Sequence, residues 1–306
     1  MSTRQGKRFS IIIPSYNYGR FLPRAIESVL SQPGNEYQII VVNDGSTDDT
    51  VEVVKAYQEK SACVTAVRQE NRGLAASRNR GIQLSGGEYL LFLDADDELL
   101  PDSLSIFRSM ISQKSDAVFV VAGLMKVSSA GSVKLNPARP LSERRMDNFL
   151  SLLRSMPIAI VNGNNVVHRR VFNRISFPET VRLWRIAFFY GQLLALFIGV
   201  YVSETVLKVY RHPDSLSHNV ELIKREGPKT VELLFDPSVL TREFMAYRDE
   251  YEALVHRMLF DALYTAKQYR EACNAFHRAF WLSPRRVCTA RSFKRYVKAS
   301  IAGVCA

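Results

Sequence analysis
The chain has few cysteines, and no pair of them has metal-ligand or CxxC spacing: Cys63, Cys273, Cys288 and Cys305 are scattered. Neither a zinc site nor a disulfide framework is suggested, and a reducing, cytosolic compartment fits. Two common nucleotide signatures are missing. No GxxxxGKS/T stretch is present, which excludes a P-loop, and no GxGxxG follows the first apolar run, which excludes the usual dinucleotide fingerprint. The start, Met1 to Arg8, is polar and basic, and only the short run Phe9 to Pro14 after it is apolar, so no signal peptide is expected. Long apolar runs are scarce. Ile186 to Val202 lies near the lower limit for a membrane span. It contains Gly191, Gln192 and Gly199, and it reads as a buried helix leading into a strand.

Acidic residues are outnumbered. The 306 residues carry a formal net charge of +11, with a sequence pI of about 9.6. Such a balance favours anionic partners: nucleotide phosphates, nucleic acid or an anionic membrane face. Hydrophobic residues make up 47% of the chain, ample for a core in one large domain or two smaller ones.

The most informative stretch is Tyr89-Leu90-Leu91-Phe92-Leu93-Asp94-Ala95-Asp96-Asp97. An uninterrupted apolar run has the character of a buried strand in a parallel sheet. It ends abruptly in three carboxylates. In extended backbone Asp94 and Asp96 fall on the same side. Two close carboxylates repel unless a cation lies between them or one keeps its proton. Hard oxygen ligands suit magnesium or manganese. A solvated acidic turn ahead of the next helix has the same local signature.

The surrounding pattern favours a ligand site. Phe9 to Pro14, Ile39 to Val42, Cys63 to Val67, Tyr89 to Leu93 and Ala117 to Ala122 read as strands, the third the weakest. Amphipathic segments separate them, such as Leu22, Ala25, Ile26, Val29 and Leu30. Alternation of this kind predicts an α/β fold, with βαβ units and a mostly parallel central sheet flanked by helices. Ligands in such sheets bind beyond the carboxyl ends of the strands. The polar clusters Ser15 to Asn17, Asn43 to Asp48 and Asp94 to Asp97 all fall at those ends.

Four segments together carry a resemblance: Ser10 to Asn17, Val42 to Asp48, Glu70 to Ile82, and Gly87 to Asp97. In order and spacing they resemble the nucleotide-sugar domain of family 2 glycosyltransferases, which have the GT-A fold. The likeness is close over roughly residues 9 to 125 and looser over 160 to 218. It implies a metal-dependent enzyme moving a sugar from a UDP- or dTDP-linked donor to a hydroxyl acceptor with inversion, in polysaccharide, glycan or glycolipid synthesis. Asp44 would accept a hydrogen bond from the N3–H of a uracil or thymine ring, since a carboxylate only accepts. Pro14 and Tyr16 would border base and ribose. Arg78 would lie near the diphosphate. Asp94 would lie near the ribose, and Asp96 would reach Mn2+ or Mg2+. Tyr210 to Ser217 resembles the R-x-H-P-x-S-x-S segment of the family, so His212 would complete the metal site or touch the diphosphate. A glycan or lipid-linked acceptor is implied, and nucleic acid is not expected.

One element of the family pattern is absent. A Glu-Asp pair that supplies the catalytic base usually stands between a Phe-Pro-Glu-like segment and an apolar helix. Here Phe177-Pro178-Glu179 is present, but Trp184 and Arg185 occupy the place of the pair. Neither side chain is a base. Three readings stay open: Glu179 serves as base, the enzyme is damaged, or the protein binds a nucleotide-sugar without efficient transfer.

The domain organisation expected is a glycosyltransferase domain over 1–219 and a helical region over 220–306. Glu243 to Lys267 reads as one long helix. Tyr264 to Ala272, with Phe276, Ala279, Leu282 and Pro284, resembles the latter part of a single tetratricopeptide repeat. An array needs about three repeats. A helical appendage is therefore expected rather than a scaffold, although a partner-binding role for these helices is a further alternative. The tail carries Arg285, Arg286, Arg291, Lys294, Arg295 and Lys298 among Phe293, Tyr296, Val297 and Ile301. Such a segment suits either a solvated face or peripheral contact with an anionic membrane. A cytoplasmic location is expected, with the inner membrane face as a place of contact.

Overall fold
The computed structural model describes residues 8–155, 160–181, 185–210 and 220–304. The first four expected strands are present as β1 (Phe9–Ser15), β2 (Tyr37–Asn43), β3 (Val64–Arg68) and β4 (Tyr89–Phe92). They run parallel in the order β3-β2-β1-β4, with Ile12 level with both Ile40 and Phe92. Strand β1 is buried along its whole length, as expected of a strand covered on both faces. Strand β3 lies at the edge, and Thr65, Ala66 and Arg68 are exposed there. Its weaker apolar signal follows from that position.

Beyond β4 the sheet changes character. The run expected as a fifth strand is β6 (Phe119–Val127), but it does not adjoin β4. The short strand β8 (Asn165–His168) lies between them, antiparallel to both. Its Val166 and Val167 are fully buried. Strand β9 (Gly199–Tyr210) runs parallel to β6, and β5 (Glu98–Leu99) pairs antiparallel with β9. Strand β7 (Val133–Asn136) hangs from β6. The run from Ile186 to Val202 resolves into α6 (Arg185–Leu196) and the start of β9, as the sequence suggests. No helix among the described residues is long and apolar enough to cross a membrane.

Helices α1 (Leu22–Leu30), α2 (Thr50–Lys60), α3 (Leu74–Leu84) and α4 (Ser103–Gln113) connect the parallel strands and β6. Leu22, Ile26 and Val29 of α1 join Ile11 and Ile13 of β1, and Leu104 and Phe107 of α4, in one apolar cluster. Burial of each such side chain contributes about 1.5–3 kcal/mol. On the opposite face of β1, α3 comes very close. A Cβ at Gly81 would lie 2.3 Å from Ile12 Cγ2. Only glycine permits that approach, and it seats α3 against the strand that leads into the site.

The described residues up to 181, with 189–210, form one compact unit, and 185–188 with 220–304 form a second. The first also holds α5 (Arg145–Ser155). The second is helical: α7 (Val220–Leu234), α8 (Arg242–Met245), α9 (Arg248–Thr265), α10 (Tyr269–Leu282), α11 (Pro284–Val287) and α12 (Ala290–Val304). The single helix expected from Glu243 to Lys267 is divided. Tyr247, with φ −100° and ψ 6°, separates α8 from α9. Helices α9 and α10 form a hairpin around Phe260, Leu263, Ala272, Phe276 and Ala279. Lys267 takes a left-handed conformation, φ 61°, at the turn. The Gln268 N–H then bonds the Leu263 carbonyl at 3.0 Å and the Lys267 N–H bonds that of Tyr264 at 3.1 Å. This pairs carbonyls that the end of α9 would otherwise leave open.

Candidate nucleotide-sugar site
The polar clusters at the ends of β1, β2 and β4 are tied to one another. The Asp44 N–H bonds the Ser15 carbonyl at 2.9 Å. Asn17, at φ 55°, accepts from the Thr47 N–H at 2.8 Å, and its own N–H donates to Ser46 Oγ at 3.0 Å. Asp48 accepts from the Gly19 N–H at 2.9 Å. Pro14 is buried at the end of β1, while Tyr16 beside it is exposed.

Asp44 closes the N-terminus of α3. Its Oδ1 accepts from the Arg72 N–H at 3.0 Å and from Gln69 Nε2 at 2.7 Å, and its Oδ2 accepts from the Gly73 N–H at 2.7 Å. Gly73 has φ 88°, a conformation glycine adopts freely, and this turns its N–H toward the carboxylate. An anion at a helix N-terminus also satisfies open backbone donors and complements the helix dipole. The two oxygens of a carboxylate offer about four acceptor positions, so one remains.

One turn along α3 is Arg78. It is only 1% exposed, an unusual degree of burial for a guanidinium. Its Nη2 pairs with Asp94 Oδ1 at 2.9 Å, and its guanidinium carbon lies 5.3 Å from the centre of the Phe177 ring. Arg78 Nε and Nη1 are buried with no hydrogen-bond partner, as is Oδ1 of Asn162. The Asn162 amide lies 3.4 Å from both oxygens of Asp94. Unpaired buried polar atoms are rare and call for an explanation. Here they surround one carboxylate beyond the strand ends, where an anionic ligand with its own acceptors would satisfy the guanidinium.

The acidic turn after β4 is crowded with negative charge. Asp97 is buried, and its N–H bonds the Asp94 carbonyl at 3.0 Å. Burial, reinforced by the charges of Asp94 and Asp96, pushes its pKa up to about 9. The Tyr210 N–H bonds Asp97 Oδ1 at 3.1 Å. Arg24 donates to the main-chain oxygen of Asp96 and packs 3.7 Å from the centre of the Tyr210 ring. The cluster has hard oxygen donors and mutual repulsion that a divalent cation would relieve, so its chemistry fits magnesium or manganese. Among the described residues no group of three or more His, Cys, Asp or Glu side chains forms a ready metal cage. Magnesium usually keeps several waters and takes one or two carboxylates together with substrate phosphates, so such a cage is not required. His212 and Trp184 lie outside the described residues.

Glu179 meets the other side of α3. Its Oε2 pairs with Arg72 at 2.9 Å, and its Oε1 accepts from Asn79 Nδ2 at 3.0 Å. Asn79 also accepts from the Phe177 N–H at 3.1 Å and donates to the Phe177 carbonyl at 2.9 Å. Phe177 in turn packs on Phe92 and Phe189, with ring centres 4.9 and 4.4 Å away. The Phe-Pro-Glu segment is thus clamped to the helix that carries Arg78. Among the sequence-predicted residues, α3 and its entry loop unite Asp44, Arg78, Asp94 and Glu179. Asp96 lies on the same acidic turn as Asp94.

Three site residues escape a reading of the sequence: Gln69, Asn79 and Asn162. The run Asn162-Gly163-Asn164-Asn165 did carry a signal. Three short amides around a glycine mark a special turn, and Gly163 has φ 89°. Asn164 bonds the Val161 N–H and the Ala122 carbonyl, and Asn165 bonds the Tyr190 hydroxyl.

A parallel half-sheet with an acidic turn at its carbonyl edge, followed by a mixed half-sheet, defines the class: a GT-A-type α/β protein. The model of the family described as "Glycosyl transferase family 2" matches residues 10–177. The chain belongs to that family. It is 41% identical over 103 residues to the glycosyltransferase YibD of Escherichia coli (strain K12), a match covering 34% of this chain and 30% of YibD. It is 33% identical over 110 residues to glycosyltransferase GlyA of Streptococcus pneumoniae serotype 4, covering 36% of this chain and 16% of GlyA. The chain therefore matches less than a third of either relative. In fold it is similar to S. aureus TarS 1-349 in complex with UDP, with TM-score 0.66, 18% identity, and 97% of this chain and 91% of that one covered. A more distant likeness is the mannosyltransferase PcManGT of Pyrobaculum calidifontis in complex with GDP-Man and Mn2+, with TM-score 0.54, 17% identity, and 99% and 89% covered.

Proposed function
We propose that the protein transfers a sugar from a UDP- or dTDP-sugar to a hydroxyl acceptor, with inversion and with a divalent cation, in polysaccharide, glycan or glycolipid synthesis. The observation that carries this reading is α3. The single helix and its entry loop join Asp44, a carboxylate with one acceptor position to spare, to Arg78, a buried guanidinium with two unpaired nitrogens. An acceptor of this kind suits a base edge, and such a cation suits a diphosphate. The complexes of TarS with UDP and of PcManGT with GDP-Man and Mn2+ give the reading support from proteins of like fold.

In the proposed roles Asp44 accepts the N3–H of uracil or thymine, and Pro14 and Tyr16 border base and ribose. Asp94 holds Arg78 and lies at the ribose end, while Arg78 meets the diphosphate. Asp96, with Asp94 beside it, would hold Mn2+ or Mg2+, and His212 is the candidate to complete that set. When bound, the cation supplies positive charge that stabilises the leaving diphosphate. In the reaction the acceptor oxygen bonds to the anomeric carbon as the bond from that carbon to the phosphate oxygen breaks. The nucleoside diphosphate leaves with the electron pair, and the hydroxyl proton passes to a base.

Glu179 is the candidate for that base. Both its oxygens are already engaged, by Arg72 and Asn79. This favours a second reading in which the protein holds a nucleotide-sugar without turning it over. Incubation of the full chain with a panel of UDP- and dTDP-sugars, acceptors and Mn2+ separates the two. Transfer predicts release of nucleoside diphosphate that Asp96→Ala abolishes and Glu179→Gln lowers at least a hundredfold. Binding alone predicts thermal stabilisation by UDP with no release from any donor. Turnover that survives both chelator and Asp96→Ala would contradict the metal-dependent reading.

A further inference from the structure
Helix α12 packs on α10 through one face only. Ser292 and Ala299 are buried, and Tyr296 stacks on Phe276 with ring centres 4.4 Å apart. Tyr296 also meets His277, hydroxyl to Nε2, at 2.7 Å. These positions recur at three and four residues and define the inward side.

A second face of the same helix is apolar and uncovered. Phe293, Val297 and Ile301 follow one another at i, i+4 and i+8, and they are 56%, 40% and 64% exposed. Single exposed apolar residues are ordinary, but a row of three along one helix is a patch. Such a row cannot be assigned to the core of the helical unit, because Ala299 and Tyr296 already serve that face.

A third face is cationic. At 100° per residue, Lys294 and Lys298 follow directly beside the apolar row, and Arg291 continues that side. All three are exposed. None has a carboxylate partner among the described residues, in contrast to Arg295, which pairs with Asp261, and Arg286, which pairs with Glu250. From Arg285 to Val304 there are six Lys or Arg and no Asp or Glu. Elsewhere in the same unit, Trp281 of α10 is 83% exposed.

We infer that α12 is a docking helix for an anionic membrane surface. An apolar stripe flanked by unpaired cations, on a helix with no acidic residue, is the pattern of an interfacial helix lying in the plane of a bilayer. The apolar row enters the acyl boundary, and Lys294, Lys298 and Arg291 meet lipid phosphates. Each basic residue near such a surface adds electrostatic attraction that salt weakens. An acidic protein surface would meet the same cations, yet it would not account for three adjacent bulky apolar side chains left in water. The inference does not depend on the sugar-transfer reading, because it concerns only the helical unit.

Co-sedimentation of the full chain with vesicles tests it. Vesicles of phosphatidylcholine with 30% phosphatidylglycerol are compared with vesicles of phosphatidylcholine alone, at about 0.1 M and 0.5 M salt. Binding should be at least tenfold tighter to the anionic vesicles and should fall at the higher salt. Lys294→Glu with Lys298→Glu should weaken it at least tenfold, as should Phe293→Ser with Ile301→Ser. Both pairs are exposed, so the circular dichroism spectrum and UDP-induced thermal shift should match those of the wild type. Equal binding to both vesicle types overturns the inference, as does no binding to either. So does a serine variant that binds vesicles as the wild type does, or that changes from an oligomer to a monomer, which assigns the stripe to self-association.

Discussion
Arg78 illustrates how much one residue settles. A buried guanidinium is costly unless its charge is met, and Asp94 meets only one of its nitrogens. Under the proposed function, the remaining nitrogens are the ones that meet the diphosphate. Arg78→Met keeps the volume and removes the charge. UDP binding should weaken at least tenfold, while thermal stability should change by no more than roughly 1–3 kcal/mol in either direction. Titration calorimetry and a denaturant series separate the two effects. A second residue-scale test concerns Asn79. Its side chain makes three hydrogen bonds to the Phe-Pro-Glu segment, so Asn79→Ala should cost roughly 1–3 kcal/mol in urea unfolding. The sequence shows Arg78 and Asp94 but not their bond, since they lie on different elements. It hides Asn79 and Asn162 more deeply, because a short amide in a helix or turn has the same local chemistry whether it clamps a distant segment or faces water.

At the scale of elements, the alternation of apolar runs and amphipathic segments revealed the parallel half of the sheet. The reason is simple: β1, β2 and β4 are covered on both faces and written as continuous apolar runs, while the edge strand β3 is half exposed and correspondingly weaker. The mixed half was less legible. Strand β8 spans only Asn165–His168, and its insertion between β4 and β6 is a long-range pairing that no local pattern encodes. Likewise the break between α8 and α9 falls at Tyr247, where no glycine or proline marks it. Helix α3 offers a sharp test, because Gly81 sits against Ile12. Gly81→Leu should destabilise the protein by roughly 1–3 kcal/mol or more through overpacking, and the displaced helix should carry Arg78 away from Asp94. In α9, His256 is buried with Nδ1 unpaired, and burial lowers its pKa despite nearby Glu252. Its folded-state pKa lies below the unfolded one, so the unfolded chain binds the proton first. Stability is then full above the ordinary imidazole range and falls as pH drops through it. His256→Leu should flatten that slope, as read by thermal unfolding between about pH 7.5 and 5.

For the whole molecule, the membership in glycosyl transferase family 2 and the carbonyl-edge cluster converge on nucleotide-sugar chemistry. The fold, the polar clusters at the strand ends and the acidic turn were legible because they reside in contiguous motifs. The base was not, because the residues standing where the sequence leads one to seek it, Trp184 and Arg185, have no proton-accepting side chain. The helical unit carries its own legible feature, the charge-segregated α12.

We propose that Asp44, Arg78 and the Asp94–Asp96 turn form one nucleoside diphosphate site dependent on a divalent cation. Titration calorimetry of UDP into the full chain tests it most directly, with Mn2+ and with chelator, for the wild type, Arg78→Met and Asp96→Asn. Saturable binding with Mn2+ that chelator and both substitutions weaken at least tenfold is the predicted result. UDP binding of equal strength in all of these, or no binding by the wild type with Mn2+ present, would contradict the claim.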